Sequence, residues 1–308
     1  MGLNHLFFYN PCSGGIAGKL DQINYLVKDF QAQLLETDPD PRIFFDKYQK
    51  LVTGNTILTA IGGDGTLNLL VNSFYPYCRN YSLIPVGTAN VVAGELGIPT
   101  DIKKAFLSLK NPSPIGLDLA RVNQSYFLMS LGIGMDAESV GSVSVRLKKL
   151  SGRAAYLHSF LKTFLCYREP VLRINTGGKT YHAYSLIVQN FRNYAGPFHF
   201  SNKVSPHDGL LNLVLFLKPH WGIFRLSPLF QIIFGQSKWI RIIPVVNARI
   251  DSDQQVRTQI DGDSGPVTPI EVEVIPQALH FFLGSEILLA REKKGVFSQP
   301  CLFRPSEV

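Results

Sequence analysis

Gly62-Gly63-Asp64-Gly65-Thr66 is the segment whose residue types can do the most chemistry by themselves. Three glycines in five residues let a backbone approach a polyphosphate closely and aim N–H groups at it. A helix starting there adds the partial positive charge of its N-terminus. Asp64 can hold the metal ion that travels with a nucleotide, directly or through water. Thr66 can donate to a phosphate. A tight strand-to-helix turn, with Asp64 or Thr66 as the N-cap, explains the same residues equally well. Asn10-Pro11-Cys12-Ser13-Gly14 and Gly87-Thr88-Ala89-Asn90 are two further small-residue segments. They read as a second and a third wall of a nucleotide site, with Thr88 and Asn90 as polar contacts. Both also read as helix caps, the latter through Asn90. In Gln259-Ile260-Asp261-Gly262-Asp263 two carboxylates flank a glycine after an apolar run. One can accept a proton from an attacking hydroxyl, and the other can help hold a metal or orient the first. An Asp-Gly hairpin turn is the competing reading, and Asp208-Gly209 poses the same choice.

Several look-alikes fail on spacing or context. Gly14–Lys19 is one residue short of a P-loop, and Leu20 follows the lysine. Gly132-Ile133-Gly134-Met135-Asp136-Ala137 has dinucleotide-fingerprint spacing but lies in a β-rich context. His207 and Asp208 are neighbours, and on a strand they would point to opposite faces. No HExxH and no GxSxG is present.

The elements needed to position these segments are legible. Residues 5–10, 56–61 and 81–86 are apolar runs that read as buried strands, each ending at one of the three loops. Helical spacing spans 16–35 through Leu20, Ile23, Leu26, Val27, Phe30 and Leu34. Helices are also expected at 67–74, up to Leu96, and at 101–109. Strand, glycine loop and helix in repetition predict a parallel α/β sheet, whose ligands bind at the carboxyl ends of the strands. After Pro112-Ser113-Pro114 the pattern changes to short β-rich runs at 115–122, 126–133, 171–175, 181–190, 210–217, 256–260, 270–275 and 279–283. They predict a mostly antiparallel domain with a helical insertion near 137–166. The expected fold is therefore α/β plus β, with domains at 1–114 and 115–284. The tail 285–308 is expected to pack back on the first domain.

Composition narrows the function. The 308 residues suggest about two domains. With 45% apolar and 17% charged residues, the chain can build a core and is not a disordered type. Thirty Lys+Arg against 23 Asp+Glu leave +7, which suits an anionic partner. Cys12, Cys78, Cys166 and Cys301 form no CxxC pair or zinc spacing, so a reducing compartment is expected. The start carries no signal-peptide pattern, and no run of 18 apolar residues occurs. The expected location is cytoplasmic, with peripheral membrane contact. Arg146–Arg153 clusters four positive charges, and Trp221–Trp239 mixes aromatics with Arg225 and Lys238. Both segments suit an anionic bilayer surface, though a solvated helix face and core packing explain them too. Nothing resembles a helix-turn-helix or RNA-binding signature, so nucleic acid is not an expected partner.

Taken in order, the motifs resemble the diacylglycerol kinase catalytic family, which includes bacterial lipid kinases and sphingosine kinases. The resemblance rests on Asn10–Gly14, Gly62–Asn68, Pro85–Asn90 with Leu96-Gly97-Ile98-Pro99, Gly132–Ala137, Val188-Gln189-Asn190, Asp208-Gly209-Leu210 and Asp261-Gly262. It covers nearly the whole chain. It implies an N-terminal nucleotide domain, a C-terminal β-sandwich domain and an active site in the cleft between them. It also implies Mg²⁺-assisted transfer from ATP to a lipid hydroxyl, diacylglycerol first. A sphingosine-like base or another lipid alcohol is the alternative acceptor, and a non-catalytic nucleotide or lipid binder is the alternative of another class. By residue, Asn10, Ser13, Gly14, Thr37, Gly62, Gly63, Asp64, Gly65, Thr66, Leu67, Asn68 and Thr88 would line the ATP, joined by Asn90. Asp64 and Asp263 would serve the metal, and Asp261 would be the base. Asp208 and the Leu210 carbonyl match a second, structural Mg²⁺ site, but Ser205 stands where that site has an acid. Val91 stands where many relatives have Asp, and Asp263 stands in place of Glu.

Overall fold

The computed structural model describes residues 3–13, 15–16, 18–134, 137, 170–194, 199–217 and 239–293. The first half runs β1 (Asn4–Tyr9), α1 (Leu20–Lys28), β2 (Gln33–Glu36), α2 (Pro41–Tyr48), β3 (Thr56–Gly62), α3 (Asp64–Phe74), β4 (Asn80–Pro85), α4 (Val91–Leu96) and α5 (Ile102–Ser108). Then come β5 (Pro112–Val122), β6 (Ser125–Phe127), β7 (Ser130–Ile133), β8 (Leu172–Thr176), β9 (Lys179–Ala183), β10 (Ser185–Gln189) and β11 (Leu211–Phe216). The described chain closes with β12 (Ile240–Val245), β13 (Asn247–Ser252), β14 (Thr258–Ile260), β15 (Asp263–Ser264), β16 (Ile270–Gly284) and α6 (Ser285–Lys293). The chain divides into two compact units. The first is built mainly on Met1–Leu119 and Pro276–Val308, the second on Ala120–Tyr194 and Phe198–Ile275.

In the first unit, β1 shows why helices cover both faces of the sheet. Phe7 and Phe8 are adjacent and both fully buried. Neighbours on a strand point to opposite sides, so both sides must be packed. Phe7 packs with Ile23 and Val27 of α1 and with Ala105 and Phe106 of α5. Phe8 meets Phe44 and Tyr48 of α2 at 5.2 and 5.4 Å between ring centroids, and Phe74 of α3 at 6.0 Å. The strands run in the order β2-β1-β3-β4, all parallel. The end of β16 adds itself in parallel to β4, with His280 opposite Asn80. A parallel sheet aligns every carboxyl end at one edge, which is where the three loops emerge.

Two local readings change. The helical spacing over 16–35 yields a helix only at Leu20–Lys28. Gln31 turns at φ 51°, and Leu34 enters β2, paired with Phe7. Pairing with β1 outweighs the continued helical spacing. Helix α2 has a local cause that the apolar spacing did not reveal. Asp40 accepts from the amides of Arg42 (2.8 Å) and Ile43 (3.4 Å), and Pro41 suits the first helical position.

His5 ties this unit to pH. Its Nδ1 lies 3.1 Å from the Thr59 hydroxyl, and its ring stacks on Phe7 at 5.4 Å. Burial pulls the imidazole down to about 4 from its usual 6.5. The folded protein therefore favours neutral His5, while the unfolded chain takes up a proton first. That stabilisation is complete above pH 6.5 and is lost as pH falls toward 4, up to about 3 kcal/mol. Urea unfolding of wild type from pH 7.5 to 4.5 should show the decline, and His5→Phe should flatten it. Parallel pH profiles for the two proteins would refute the assignment.

The second unit is a two-sheet sandwich. One sheet has the order β12-β11-β10-β7-β14-β15, antiparallel throughout. The other carries β9, β8, β13 and the Ile270–Glu273 end of β16, also antiparallel. Leu131, Leu186, Val188 and Leu213 from the first sheet share one core with Ile174, Ile250, Ile270 and Val272 from the second. The expected run 126–133 breaks into β6 and β7 around Leu128-Met129, and 270–275 and 279–283 join into the single strand β16. Strands β12 and β13 are not among the expected runs: in β13 only Ala248 and Ile250 are buried, and β12 is apolar at Ile240, Ile242, Ile243 and Val245 but without a period-two alternation to mark it. The expected insertion near 137–166 lies outside the described residues except for Ala137.

Candidate functional site

The first unit gathers three loops and Thr37 at the carboxyl edge of its sheet. The first loop leaves β1. Asn10 organises it, since its side-chain oxygen accepts the Cys12 amide (2.9 Å) and its carbonyl accepts the Ser13 amide (3.0 Å). Gly14 lies outside the described residues. Gly15 rests on the end of β4, where a Cβ would overlap the Val86 carbonyl. Thr37 directly follows β2 and donates its amide to the Tyr9 carbonyl (3.0 Å), which sets it beside the first loop.

The second loop, Gly62–Thr66, feeds α3. Gly63 is the N-cap and brings no side chain, so the first amides of α3 receive no bond from an N-cap side chain. Space around Gly65 is open, and Gly65 is exposed. Thr66 is buried, and its hydroxyl lies where a Gly62 Cβ would be. Leu67 corrects the sequence reading. It is fully buried and its amide donates to the Gly63 carbonyl (3.3 Å), so it is a core residue of α3 and not a wall of the site. Asn68 is buried as well, and its side-chain oxygen accepts from Asn72.

The third loop touches the second. The amides of Val86 (2.9 Å) and Gly87 (3.3 Å) both donate to the Gly62 carbonyl. A Cβ on Gly87 would stand 2.5 Å from the Gly63 Cα, so the two backbones are in contact. Thr88 and Ala89 are exposed at the tip. Asn90 takes φ 47°, and its Nδ2 donates to the Gly87 carbonyl (2.8 Å). Its Oδ1 is buried without a hydrogen-bond partner. Asn90 stands at the N-cap of α4 yet makes no cap bond. Asp64 does so instead, with Oδ2 accepting the Val91 amide and Oδ1 the Val92 amide, both at 2.9 Å. Desolvation raises its carboxyl above the ordinary value despite these donors.

In the second unit, Asp261 and Gly262 form a two-residue turn joining β14 to β15, with Ile260 opposite Asp263. Both turn residues have positive φ, 48° and 91°, as such a hairpin requires. The turn does not leave the carboxylate loose. It accepts the amides of Leu128 (2.8 Å), Met129 (2.9 Å) and Ser130 (2.8 Å). The same stretch is gripped from the other side by Asn190, whose Nδ2 donates to the Leu128 carbonyl (2.8 Å) and whose amide donates to the Met129 carbonyl (2.9 Å). Three N–H dipoles stabilise negative charge on Asp261 and hold it in one orientation. Asp263 is exposed. Asp208 accepts the Leu210 amide (3.0 Å), a local turn bond.

These groups fit a nucleotide better than a metal cage. An uncapped helix start beside open space suits phosphate oxygens. Among the described residues no three His, Cys, Asp or Glu side chains converge to hold a metal. That suits an ion held chiefly by phosphates and water. Residues 146–153 and 221–238 lie outside the described residues. No helix among the described residues is long and apolar enough to cross a membrane.

Comparison with known proteins agrees with this layout. Residues 4–122 match the family model described as the diacylglycerol kinase catalytic domain. Residues 129–283 match the one described as the YegS C-terminal NAD kinase beta sandwich-like domain. Proteins of Staphylococcus aureus strains Newman and Mu3, each named "Putative lipid kinase", are 26% identical over 307 residues, covering 92% of this chain and 97% of theirs. The structure titled "Crystal structure of a putative diacylglycerol kinase from Bacillus anthracis str. Sterne" superposes with a TM-score of 0.75 at 22% identity, over 92% of this chain and 96% of that one. At that identity the likeness shows the fold.

Proposed function

The chain belongs to the diacylglycerol kinase catalytic-domain family, and we propose that it transfers the γ-phosphate of ATP to a lipid hydroxyl, diacylglycerol before other acceptors. The observation that carries this reading is the uncapped start of α3 at the carboxyl edge of a parallel sheet, with two more small-residue loops at the same edge. Asn10, Ser13 and Gly14 of the first loop, Thr37, the Gly62–Thr66 loop, and Thr88 with Asn90 bind and orient the nucleotide. Mg²⁺, when bound with the nucleotide, would supply charge neutralisation at the phosphates. The carboxylate of Asp261 receives the proton of the attacking lipid hydroxyl as its oxygen bonds to phosphorus and the bridging oxygen of ADP leaves. Most of the acceleration comes from positioning and charge stabilisation. The net charge of +7 supports work at an anionic membrane surface.

The test incubates the protein with γ-labelled ATP, Mg²⁺ and mixed micelles of diacylglycerol, sphingosine and monoacylglycerol, with and without anionic lipid. Labelled phosphatidate is the expected product, formed faster with anionic lipid present. A different labelled lipid would keep the kinase and change the acceptor. Binding of ATP with no labelled product would favour the second reading, a binder that does not transfer phosphate. The three backbone amides already served by Asp261 are what favour that alternative.

A further inference from the structure

We infer that Asp64 is a positioning residue that fastens the third loop to the phosphate loop, and is not a ligand of the metal; this deepens, and rests on, the kinase reading. Helix α4 begins without help from its own N-cap. Asn90 is left-handed there and makes no side-chain cap bond, so the amides of Val91 and Val92 need an acceptor from elsewhere. Asp64 supplies one oxygen to each, at 2.9 Å, from 27 and 28 residues upstream. A carboxylate at a helix start also meets favourable dipole charge. The contact is locked from behind, because Gly63 and Gly87 pack backbone against backbone. Val91 is buried and apolar, so nothing at that position offers a second acid for a shared ion. The place of Thr88, exposed at the tip between these contacts, is therefore set by Asp64.

The consequence separates the two roles. A lost metal ligand raises the Mg²⁺ concentration needed for activity. A lost clasp loosens the third loop and weakens nucleotide binding at unchanged Mg²⁺ demand. Asp64→Asn keeps the shape of the side chain but turns an N–H₂ toward one of the two amides. We expect its ATP dissociation constant, read by calorimetry, and its KM for ATP to rise about 10- to 100-fold. The Mg²⁺ half-saturation should stay at the wild-type value. Thr88→Ala should cost much less in the Asp64→Asn background than alone, since both act on one loop. Amide exchange at residues 91 and 92 of the nucleotide-free protein should accelerate in Asp64→Asn.

A wild-type measurement needs no variant: Mg²⁺ without nucleotide should leave exchange at 91 and 92 unchanged. A rise in Mg²⁺ half-saturation of tenfold or more with unaltered exchange, or faster wild-type exchange on adding Mg²⁺, would overturn the inference and leave the kinase reading standing. Additive effects of Asp64→Asn and Thr88→Ala would overturn it too. Failure of wild type to bind ATP would instead remove the kinase reading, and the inference with it.

Discussion

Asp261→Asn is expected to lower the rate of phosphate transfer about 10²–10⁴-fold, the range for removing a general base. The change also disturbs structure, because the carboxylate accepts three amides and an Asn side chain has only one oxygen. An N–H₂ facing a backbone N–H costs about 1–3 kcal/mol. The two effects separate by measurement. The nucleotide loops belong to the first unit and Asp261 to the second. ATP affinity should therefore hold while kcat falls, and the melting temperature should drop by only a few degrees. A normal kcat would remove Asp261 from the chemistry and leave it as the buttress of the Leu128–Ser130 stretch. Parallel loss of ATP binding and kcat would mean that the substitution unfolds the protein.

Gly87→Ala should nearly abolish nucleotide binding without unfolding the sheet. The added methyl would meet the Gly63 Cα at 2.5 Å, the Asn90 side-chain oxygen at 2.8 Å and the Gly63 nitrogen at 3.0 Å. Two of these three are backbone atoms of the phosphate loop, which cannot swing aside as a long side chain can. Overpacking of this kind costs about 1–3 kcal/mol, and the loops must part to relieve it. The expected result is an ATP affinity at least tenfold weaker with cooperative unfolding retained. Gly54→Ala is the contrast, since nothing lies within 4 Å of its added Cβ and Gly54 lies outside the three loops. Equal ATP affinities for the two variants would show that the contact between the loops does not matter for the nucleotide.

Much of this architecture was legible in residue order. Short, mostly apolar runs such as 56–61, bounded by turn residues, read as strands covered on both faces, and β3 is buried at every position. Glycine-rich segments directly after such runs belong at the carboxyl edge of the sheet, and all three emerge there. Helix α1 was read too long and β2 was hardly marked. A four-residue strand with half-exposed positions has no periodicity strong enough to announce itself, and its pairing with β1 decides its state. Leu67 was counted with its neighbours as lining, although the 3.6-residue turn of α3 carries it into the core.

What the sequence by itself determined is the inventory: which residues can meet a phosphate, which can take a proton, and which strands and helices carry them. Spacing and residue type suffice for that, because turns, helices and strands are set within a few residues. Only the tertiary structure decided which partners those residues serve. The sequence reads Asp64 as a metal group or a cap of its own turn, and the fold brings its carboxylate to amides 27 and 28 residues away. Asp261 was read as a turn or a base, and it is a turn whose carboxylate is held by amides 131 to 133 residues away. A hydrogen bond needs atoms within about 3 Å in a fixed direction. Over such separations, strand register and the packing of loops decide which atoms meet, and the spacing of letters along the chain does not.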